Sequence, residues 1–139
     1  EYAINSKASE FDTVISPAMG GILFGYLFAF KMHKRMIFTE RKTKNMELRR
    51  GFALKKGERV YIAEDVITTG GSVFEVIKIC KDSGAKIMGI ITIVDRSDNI
   101  SFDYHYNFMI KLNIEKYSPD NCPLCKSGME IVYPGSRKL

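Results

Sequence analysis

The sequence contains no tryptophan, two histidines, four prolines and three cysteines in 139 residues. Three cysteines cannot make the paired framework of a small secreted domain, so a reducing, cytoplasmic setting is predicted. Residues 1–12 show no signal-peptide pattern. The longest apolar run, residues 22–30, is interrupted by Gly25 and is shorter than the about 20 residues that span a bilayer. We therefore expect no membrane association, and we expect this run to form a buried helix.

Two nucleotide-binding motifs are also missing. Neither GxGxxG nor GxxxxGK[ST] occurs, which argues against a dinucleotide fold and a P-loop. Cys122 and Cys125 form one CxxC, but no second pair completes the four ligands of a structural zinc site. A turn with packed thiols is the favoured interpretation, and a zinc ion shared across a dimer stays open.

Positive charge is in excess, but it is unevenly distributed along the sequence. The formal net charge is +5, and residues 31–59 hold eleven Lys or Arg against three acids, a net +8. The remaining residues therefore carry a net −3. Such a segment is either a solvated face or a surface for polyphosphate or nucleic acid.

Apolar segments alternate with helical patterns along the chain. Strands are predicted at residues 13–16, 35–39, 52–54, 59–63, 86–94 and 107–112, and helices at 22–34 and 72–83. Residues 40–50 are polar and basic, which indicates a flexible loop or the start of a hairpin. This order predicts one α/β domain over residues 1–139, with a mostly parallel central sheet flanked by helices. Residues 1–12 would be an incoming segment, and residues 117–139 a tail rich in turns.

The most informative stretch is residues 60–72, an apolar strand followed by two acids and a polar turn. Glu64 and Asp65 can accept hydrogen bonds from sugar hydroxyls or face Mg²⁺ through water. The turn at residues 68–72 brings glycines, hydroxyls and a helix start together, which favours an anion. The stretch predicts a sugar-phosphate site, and the alternative is an ordinary strand–helix turn.

Other predicted strand ends carry polar or glycine residues that belong at the same edge. These ends are residues 16–21, residues 39–41 and residues 95–96. Ligands of parallel α/β sheets bind beyond the carboxyl ends of the strands, so we expect all of these residues to face one crevice.

These motifs resemble a known family. Residues 60–72 resemble the phosphoribosyl-pyrophosphate (PRPP) signature of type I phosphoribosyltransferases. Residues 16–21 resemble the pyrophosphate loop of orotate phosphoribosyltransferases, and residues 38–52 resemble their mobile catalytic loop. Residues 121–126, with 134–137, are similar to the tail of one bacterial branch. The chain departs from the family pattern because it begins after the N-terminal hood that covers the base, so we expect it either to be a fragment or to lack half of the base site.

The resemblance implies a glycosyltransferase of the pentosyltransferase class that converts orotate and PRPP to orotidine 5′-monophosphate and pyrophosphate in pyrimidine (UMP) biosynthesis. The implied cofactor is Mg²⁺ on the PRPP oxygens, without a direct protein ligand and with Asp65 reaching it through water. The implied PRPP-binding residues are Arg41, Lys42, Lys44, Glu64, Asp65, Val66, Ile67, Thr68, Thr69, Gly70, Gly71 and Ser72. The implied pyrophosphate loop is Ala18, Met19 and Gly20.

The implied catalytic groups are Asp65 and Glu64, with Arg41, Lys42 and Lys44 as a clamp on the pyrophosphate. In the family this basic loop reaches the neighbouring subunit, so a homodimer is implied; the alternative is a solvated basic hairpin. Thr68 and Arg96 match positions that contact orotate, whereas the alternative for Arg96 is a salt bridge with Asp95.

Three other interpretations stay open. A purine phosphoribosyltransferase would share residues 64–72, and a PRPP-binding regulatory protein would bind without turnover. A truncated, inactive remnant that still dimerises is the third. RNA binding ranks low because the basic residues lie in the segment that resembles the catalytic loop, so no nucleic-acid partner is predicted.

Overall fold

A computed structural model describes residues 10–43, 45–115, 117–130 and 132. Six strands form one sheet in the order β3-β2-β1-β4-β5-β6. All neighbouring strands are parallel except the β2–β3 hairpin. The elements are β1 (Thr13–Pro17), α1 (Gly20–Lys31), β2 (Arg35–Lys42), β3 (Asn45–Leu48), β4 (Arg59–Ile67), α2 (Gly71–Asp82), β5 (Lys86–Asp95), β6 (Tyr106–Lys111) and the short α3 (Pro123–Lys126). The predicted mostly parallel α/β sheet flanked by helices is confirmed.

The central strands bury both faces of the sheet. Successive residues of β4 point to opposite sides, so Ile62 joins the core under α2 whereas Tyr61 joins the core under α1. Val76 and Cys80 fill the first core from α2, and Phe28 enters the second from α1. Covering on both faces explains why these strands are continuously apolar in the sequence.

Two strands extend beyond their predicted ends. β4 continues to Ile67 because it stays paired with β5, with Glu64 opposite Thr92 and Ile67 opposite Asp95. The two acids therefore lie within the strand and not after it. β2 continues to Lys42 because it pairs with β3 in an antiparallel hairpin. Of the two interpretations of residues 40–50, the hairpin is the one observed.

The predicted strand at residues 52–54 is wrong. The chain leaves the hairpin through Arg50 and Gly51, which have φ angles of 57° and 76°, and the following residues pair with no strand. Phe52 instead packs edge-on against Phe38, with ring centroids 4.9 Å apart. This stretch thus covers the sheet with side chains and adds no strand to it.

Helix α1 begins two residues earlier than predicted, and the expectation that it is buried is wrong for one of its faces. Phe24 and Phe28 pack on the sheet, whereas Leu23 and Phe30 are 69% and 67% exposed. Tyr26 is also exposed and stacks on Phe30. An apolar sequence without a polar face cannot tell which side of a helix meets the sheet. No helix in the described part of the chain is long and apolar enough to cross a membrane.

Candidate active site

The two acids of β4 lie directly against the start of α1. A methyl group added at Gly20 would lie 2.7 Å from Cγ of Asp65 and closer still to its Oδ2. At Gly21, the same group would lie 2.7 Å from Oε2 of Glu64. Only residues without a side chain allow this approach, so the two glycine positions explain how the carboxylates sit against the first turn of the helix. The favourable partial charge of a helix N-terminus is thus placed beside two acids.

The two carboxylates differ in their surroundings. Glu64 is 8% exposed, whereas Asp65 is half-buried. Oδ1 of Asp65 accepts a hydrogen bond from the Val66 N–H at 2.9 Å. The Thr92 hydroxyl donates to the Asp65 carbonyl oxygen at 3.1 Å, which ties this part of β4 to β5. Asp65 is therefore the acid that is oriented by its own backbone and can reach a ligand.

The loop after β4 forms a polar pocket of about 180 Å³. Gly70 has a φ of 74°, a conformation that glycine adopts without cost, and α2 begins at the next residue. The pocket is lined by Arg41, Glu64, Val66, Ile67, Thr68, Thr69, Gly70, Gly71, Ser72, Val73 and Glu75. The first turn of a 12-residue helix and two threonine hydroxyls therefore face one space, which suits a phosphate group. The Arg41 guanidinium in the lining is paired with the Glu75 carboxylate.

The turn between β1 and α1 is held at the same edge of the sheet. The Ala18 N–H donates to the carbonyl oxygen of Thr39 on β2 at 2.8 Å. The Ala18–Met19 peptide bond is cis, and the Met19 side chain is 84% exposed. The predicted pyrophosphate loop thus lies between the end of β1 and Asp65, which places Gly20 beside the acid pair.

The basic hairpin is attached to α2 by one carboxylate that the sequence analysis missed. Oε1 of Glu75 accepts a hydrogen bond from Nη2 of Arg41 at 2.6 Å, and Oε2 accepts one from the Met46 N–H at 3.1 Å. Glu75 follows Ser72 by three residues and so lies on the same face of α2. An acid one turn after the phosphate loop, opposite a basic segment, is the sequence signal that could have identified it.

The other basic residues of the hairpin are placed differently. Lys42 is exposed at the end of β2 and does not line the pocket. Lys44 lies outside the described residues. Arg50 makes two hydrogen bonds to the Glu40 carboxylate, both at 2.8 Å. Arg50 is therefore a structural partner of an acid.

Arg96 lies at the junction of β4 and β5. Its N–H donates to the Ile67 carbonyl oxygen at 2.7 Å, and its Nε is buried without a hydrogen-bond partner among the described residues. The alternative salt bridge with Asp95 is not formed, because Asp95 pairs with Lys111 at 3.2 Å and accepts from Ser97. Burial disfavours the charged form of Asp95, but the hydrogen bonds from Ser97 and Lys111 hold its pKa below the usual value.

Comparison with known proteins agrees with this geometry. A family model described as "Phosphoribosyl transferase domain" matches residues 2–123. The chain is 49% identical over 140 residues to the orotate phosphoribosyltransferase of Caldanaerobacter subterraneus subsp. tengcongensis, covering 100% of this chain and 74% of that protein. The chain belongs to the orotate phosphoribosyltransferase family. A second member of this family, from Thermotoga maritima, is 44% identical over 140 residues and is covered to 75%.

Solved structures show the same fold at greater sequence distance. The adenine phosphoribosyltransferase of Thermoanaerobacter pseudethanolicus superposes with a TM-score of 0.64 at 22% identity, over 74% of this chain and 71% of that chain. The orotate phosphoribosyltransferase of Aeropyrum pernix gives a TM-score of 0.64 at 19% identity, over 78% and 64%. Purine and orotate members share the fold, so the fold alone does not separate this family from the purine enzymes.

The residues of the site bear on the expected Mg²⁺ ion. In the described part of the chain, no three His, Cys, Asp or Glu side chains lie close enough to hold a metal ion by themselves. The donors present are two adjacent carboxylates beside a phosphate pocket. Mg²⁺ keeps several waters and is commonly bound by one or two carboxylates together with substrate phosphates. The donor set of this family member therefore fits a magnesium ion that arrives with a polyphosphate.

Proposed function

We propose that this chain transfers the phosphoribosyl group of PRPP to orotate, forming orotidine 5′-monophosphate and pyrophosphate in UMP synthesis. One combined observation carries the proposal. An acid pair, a glycine turn and a phosphate pocket meet at one sheet edge of a chain that is 49% identical over its whole length to an orotate phosphoribosyltransferase.

PRPP would lie with its 5-phosphate in the pocket of residues 68–72. Backbone N–H groups at the start of α2 and the hydroxyls of Thr68, Thr69 and Ser72 are the proposed donors. The ribose hydroxyls would face Glu64 and Asp65. The pyrophosphate would then extend toward Ala18, Met19 and Gly20, because Gly20 is adjacent to the Asp65 carboxylate.

The reaction breaks the bond between ribose C1 and the pyrophosphate oxygen while a ring nitrogen of orotate attacks C1. Positive charge develops on the ribose, and Asp65 is the proposed group that stabilises it, with Glu64 beside it. Negative charge develops on the departing pyrophosphate, which Arg41, Lys42 and Lys44 would neutralise. The protein acts by position and electrostatics, and no covalent intermediate with a side chain is required.

Mg²⁺ is the proposed cofactor, bound to PRPP oxygens, with Asp65 and Glu64 as the residues that would orient it through water. When bound, it supplies charge neutralisation for the pyrophosphate. The same carboxylates are proposed to face the ribose hydroxyls, because the absence of side chains at Gly20 and Gly21 lets them lie at the start of α1.

Orotate recognition is assigned to Arg96 and Thr68. A guanidinium matches the geometry of a carboxylate, and Arg96 has a buried Nε that lacks a partner among the described residues. Thr68 lines the phosphate pocket next to Ile67. The carbonyl oxygen of Ile67 accepts a hydrogen bond from the Arg96 N–H. The base would therefore lie between the ends of β4 and β5.

A homodimer is also proposed, with the basic loop contributing to the neighbouring site. The exposed apolar face of α1 supports burial against a partner copy. Mixing Lys44→Ala and Asp65→Ala proteins tests the sharing of sites. If Lys44 acts across the interface, mixed dimers regain activity in one of their two sites. Activity that stays absent in verified mixed dimers contradicts this arrangement. A cytoplasmic location stays a prediction from cysteine usage.

Loss of orotate absorbance in the presence of PRPP and Mg²⁺ tests the reaction. Adenine, guanine and hypoxanthine serve as competing acceptors, and Asp65→Ala protein serves as the control with strongly reduced activity. Conversion of orotate alone is the expected result. Preferred conversion of a purine would make the chain a purine enzyme, and PRPP binding without conversion of any base would make it a regulatory protein.

A further inference from the structure

Cys122 and Cys125 lie in a turn that the transfer reaction does not use. Cys122 precedes α3, and its Sγ accepts a hydrogen bond from the Cys125 N–H at 3.3 Å. The backbone of the turn is fixed by the Lys126 N–H to the Cys122 carbonyl at 3.1 Å and by the Ser127 N–H to the Pro123 carbonyl at 3.0 Å. Both thiols are thus held on one ordered turn of the chain.

These two thiols are accessible, contrary to the expectation that they are packed. Cys125 is exposed and Cys122 is half-buried, and neither forms a disulfide. Cys80, in contrast, is fully buried in the core under α2, and burial raises its pKa to about 12. Because the thiolate is the reactive form, Cys80 is inert in the folded chain, and thiol reactions are confined to Cys122 and Cys125.

The two thiols of the turn are not equivalent. Hydrogen bonds from the side chain and the backbone N–H of Cys125 lower the pKa of Cys122. The same side-chain hydrogen bond raises the pKa of Cys125. An attacking thiol needs thiolate character, whereas a resolving thiol has only to reach its partner sulfur, so Cys122 suits the first role and Cys125 the second.

We propose that Cys122 and Cys125 form a redox-active dithiol that closes to an intramolecular disulfide by exchange with a low-molecular-weight disulfide. The Cys122 thiolate attacks one sulfur of the small disulfide, forms a mixed disulfide and releases one small thiolate. Cys125 then loses its proton to solvent, attacks Cys122 Sγ and releases the second thiolate. The protein dithiol is oxidised by two electrons, and the small disulfide is reduced to two thiols.

A structural metal is the competing use of such a pair, and the site offers it too few ligands. Zinc in a structural site takes four ligands, and the turn supplies two. No third His, Cys, Asp or Glu completes a metal-binding group within the part of the chain that the structure describes. The dithiol reaction needs only the two thiols present.

The test uses the full chain in mixtures of oxidised and reduced glutathione, without PRPP or orotate, so its result is independent of the transfer reaction. Thiols are counted in the folded and unfolded protein, and intact mass is recorded. The wild type is expected to lose both accessible thiols, keep the Cys80 thiol and become lighter by two hydrogens. Cys125→Ser is expected to retain one glutathione on Cys122, and Cys122→Ser is expected to react several times more slowly.

Several results would overturn the proposal. One is a wild-type chain that keeps all three thiols in a mixture that oxidises a reference CxxC dithiol. Others are a glutathione adduct that persists on the wild type, a disulfide that joins two chains, or equal rates for Cys122→Ser and Cys125→Ser. Zinc that binds the reduced chain and protects both thiols from oxidised glutathione would show a metal site instead.

Discussion

Substitution of Gly20 by alanine should impair catalysis while leaving the fold intact. The added methyl group would lie 2.7 Å from Cγ of Asp65, whereas ordinary contact begins at 3.4 Å, so the carboxylate carbon has to move by at least 0.7 Å. The same carboxylate accepts the hydrogen bond from the Val66 N–H at 2.9 Å, so its movement also changes the geometry of this bond. A displacement of about 1 Å in a positioning group can reduce a rate about 100-fold.

The expected loss in kcat is therefore about 100-fold, or about 2.7 kcal/mol of transition-state stabilisation. Unfolding stability should stay within about 1 kcal/mol, because the clash falls on the end of a flexible side chain and alanine favours a helix more than glycine does. The assay is orotate consumption under saturating PRPP, with the thermal unfolding midpoint measured on the same preparations. The Gly20→Ala variant should thus be slow and stable.

A double-mutant cycle shows whether the effect acts through the carboxylate. In an Asp65→Ala background the methyl group meets no carboxylate, so Gly20→Ala should cause little further loss of rate or of PRPP affinity. A Gly20→Ala variant that keeps the wild-type rate would show that the position of the Asp65 carboxylate does not limit catalysis. An equal loss of rate in the Asp65→Ala background and in the wild type would show that the methyl group does not act through this carboxylate.

Three further predictions concern other parts of the chain. Glu75→Gln should weaken the anchor of the hairpin and raise its sensitivity to limited proteolysis, with a stability cost below about 1 kcal/mol because the Arg41 pair is partly exposed; equal cleavage rates would contradict this. Arg96→Ala should raise the KM for orotate about 100-fold, as expected for a charge-assisted hydrogen bond, and leave the PRPP KM unchanged; an unchanged orotate KM would refute the assignment. Arg59 lowers the pKa of Asp12 from 3.8 to about 2, so the stability from this pair is complete above about pH 4 and is lost as pH falls toward 2. Asp12→Asn should remove that part of the pH dependence in acid unfolding curves, and identical curves would contradict it.

The local backbone of the site was readable from the sequence. Residues 60–72 predicted an apolar strand, two acids, a polar turn and a helix start, and β4, Gly70 and α2 follow in this order. The phosphate-binding role of the turn stays a prediction. The alternation of strands and helices likewise predicted the parallel sheet. Both inferences rest on short-range patterns that the rest of the chain does not alter.

Features that depend on contacts between residues far apart in the sequence could not be predicted from the sequence. The extension of β4 through Asp65 is set by its pairing with β5, and pairing distance is not visible in one strand. The contact of Gly20 with Asp65 joins residues 45 positions apart. Glu75 was missed because its partners Arg41 and Met46 come from β2 and β3, about 30 residues earlier in the chain. The exposed face of α1 was missed because all its sides are apolar.

In the proposed function, the acid pair, the glycine turn and the phosphate pocket together transfer a phosphoribosyl group to orotate. The most direct measurement is the formation of orotidine 5′-monophosphate from orotate and PRPP with Mg²⁺ by the wild type and by Asp65→Asn, which keeps the shape of the side chain and removes its charge. The wild type is expected to form the product, and Asp65→Asn is expected to form it at a rate at least about 100-fold lower. Equal rates for the two proteins would exclude the proposed role of the Asp65 charge, and a purine nucleotide as the main product in a mixture of bases would exclude orotate as the acceptor.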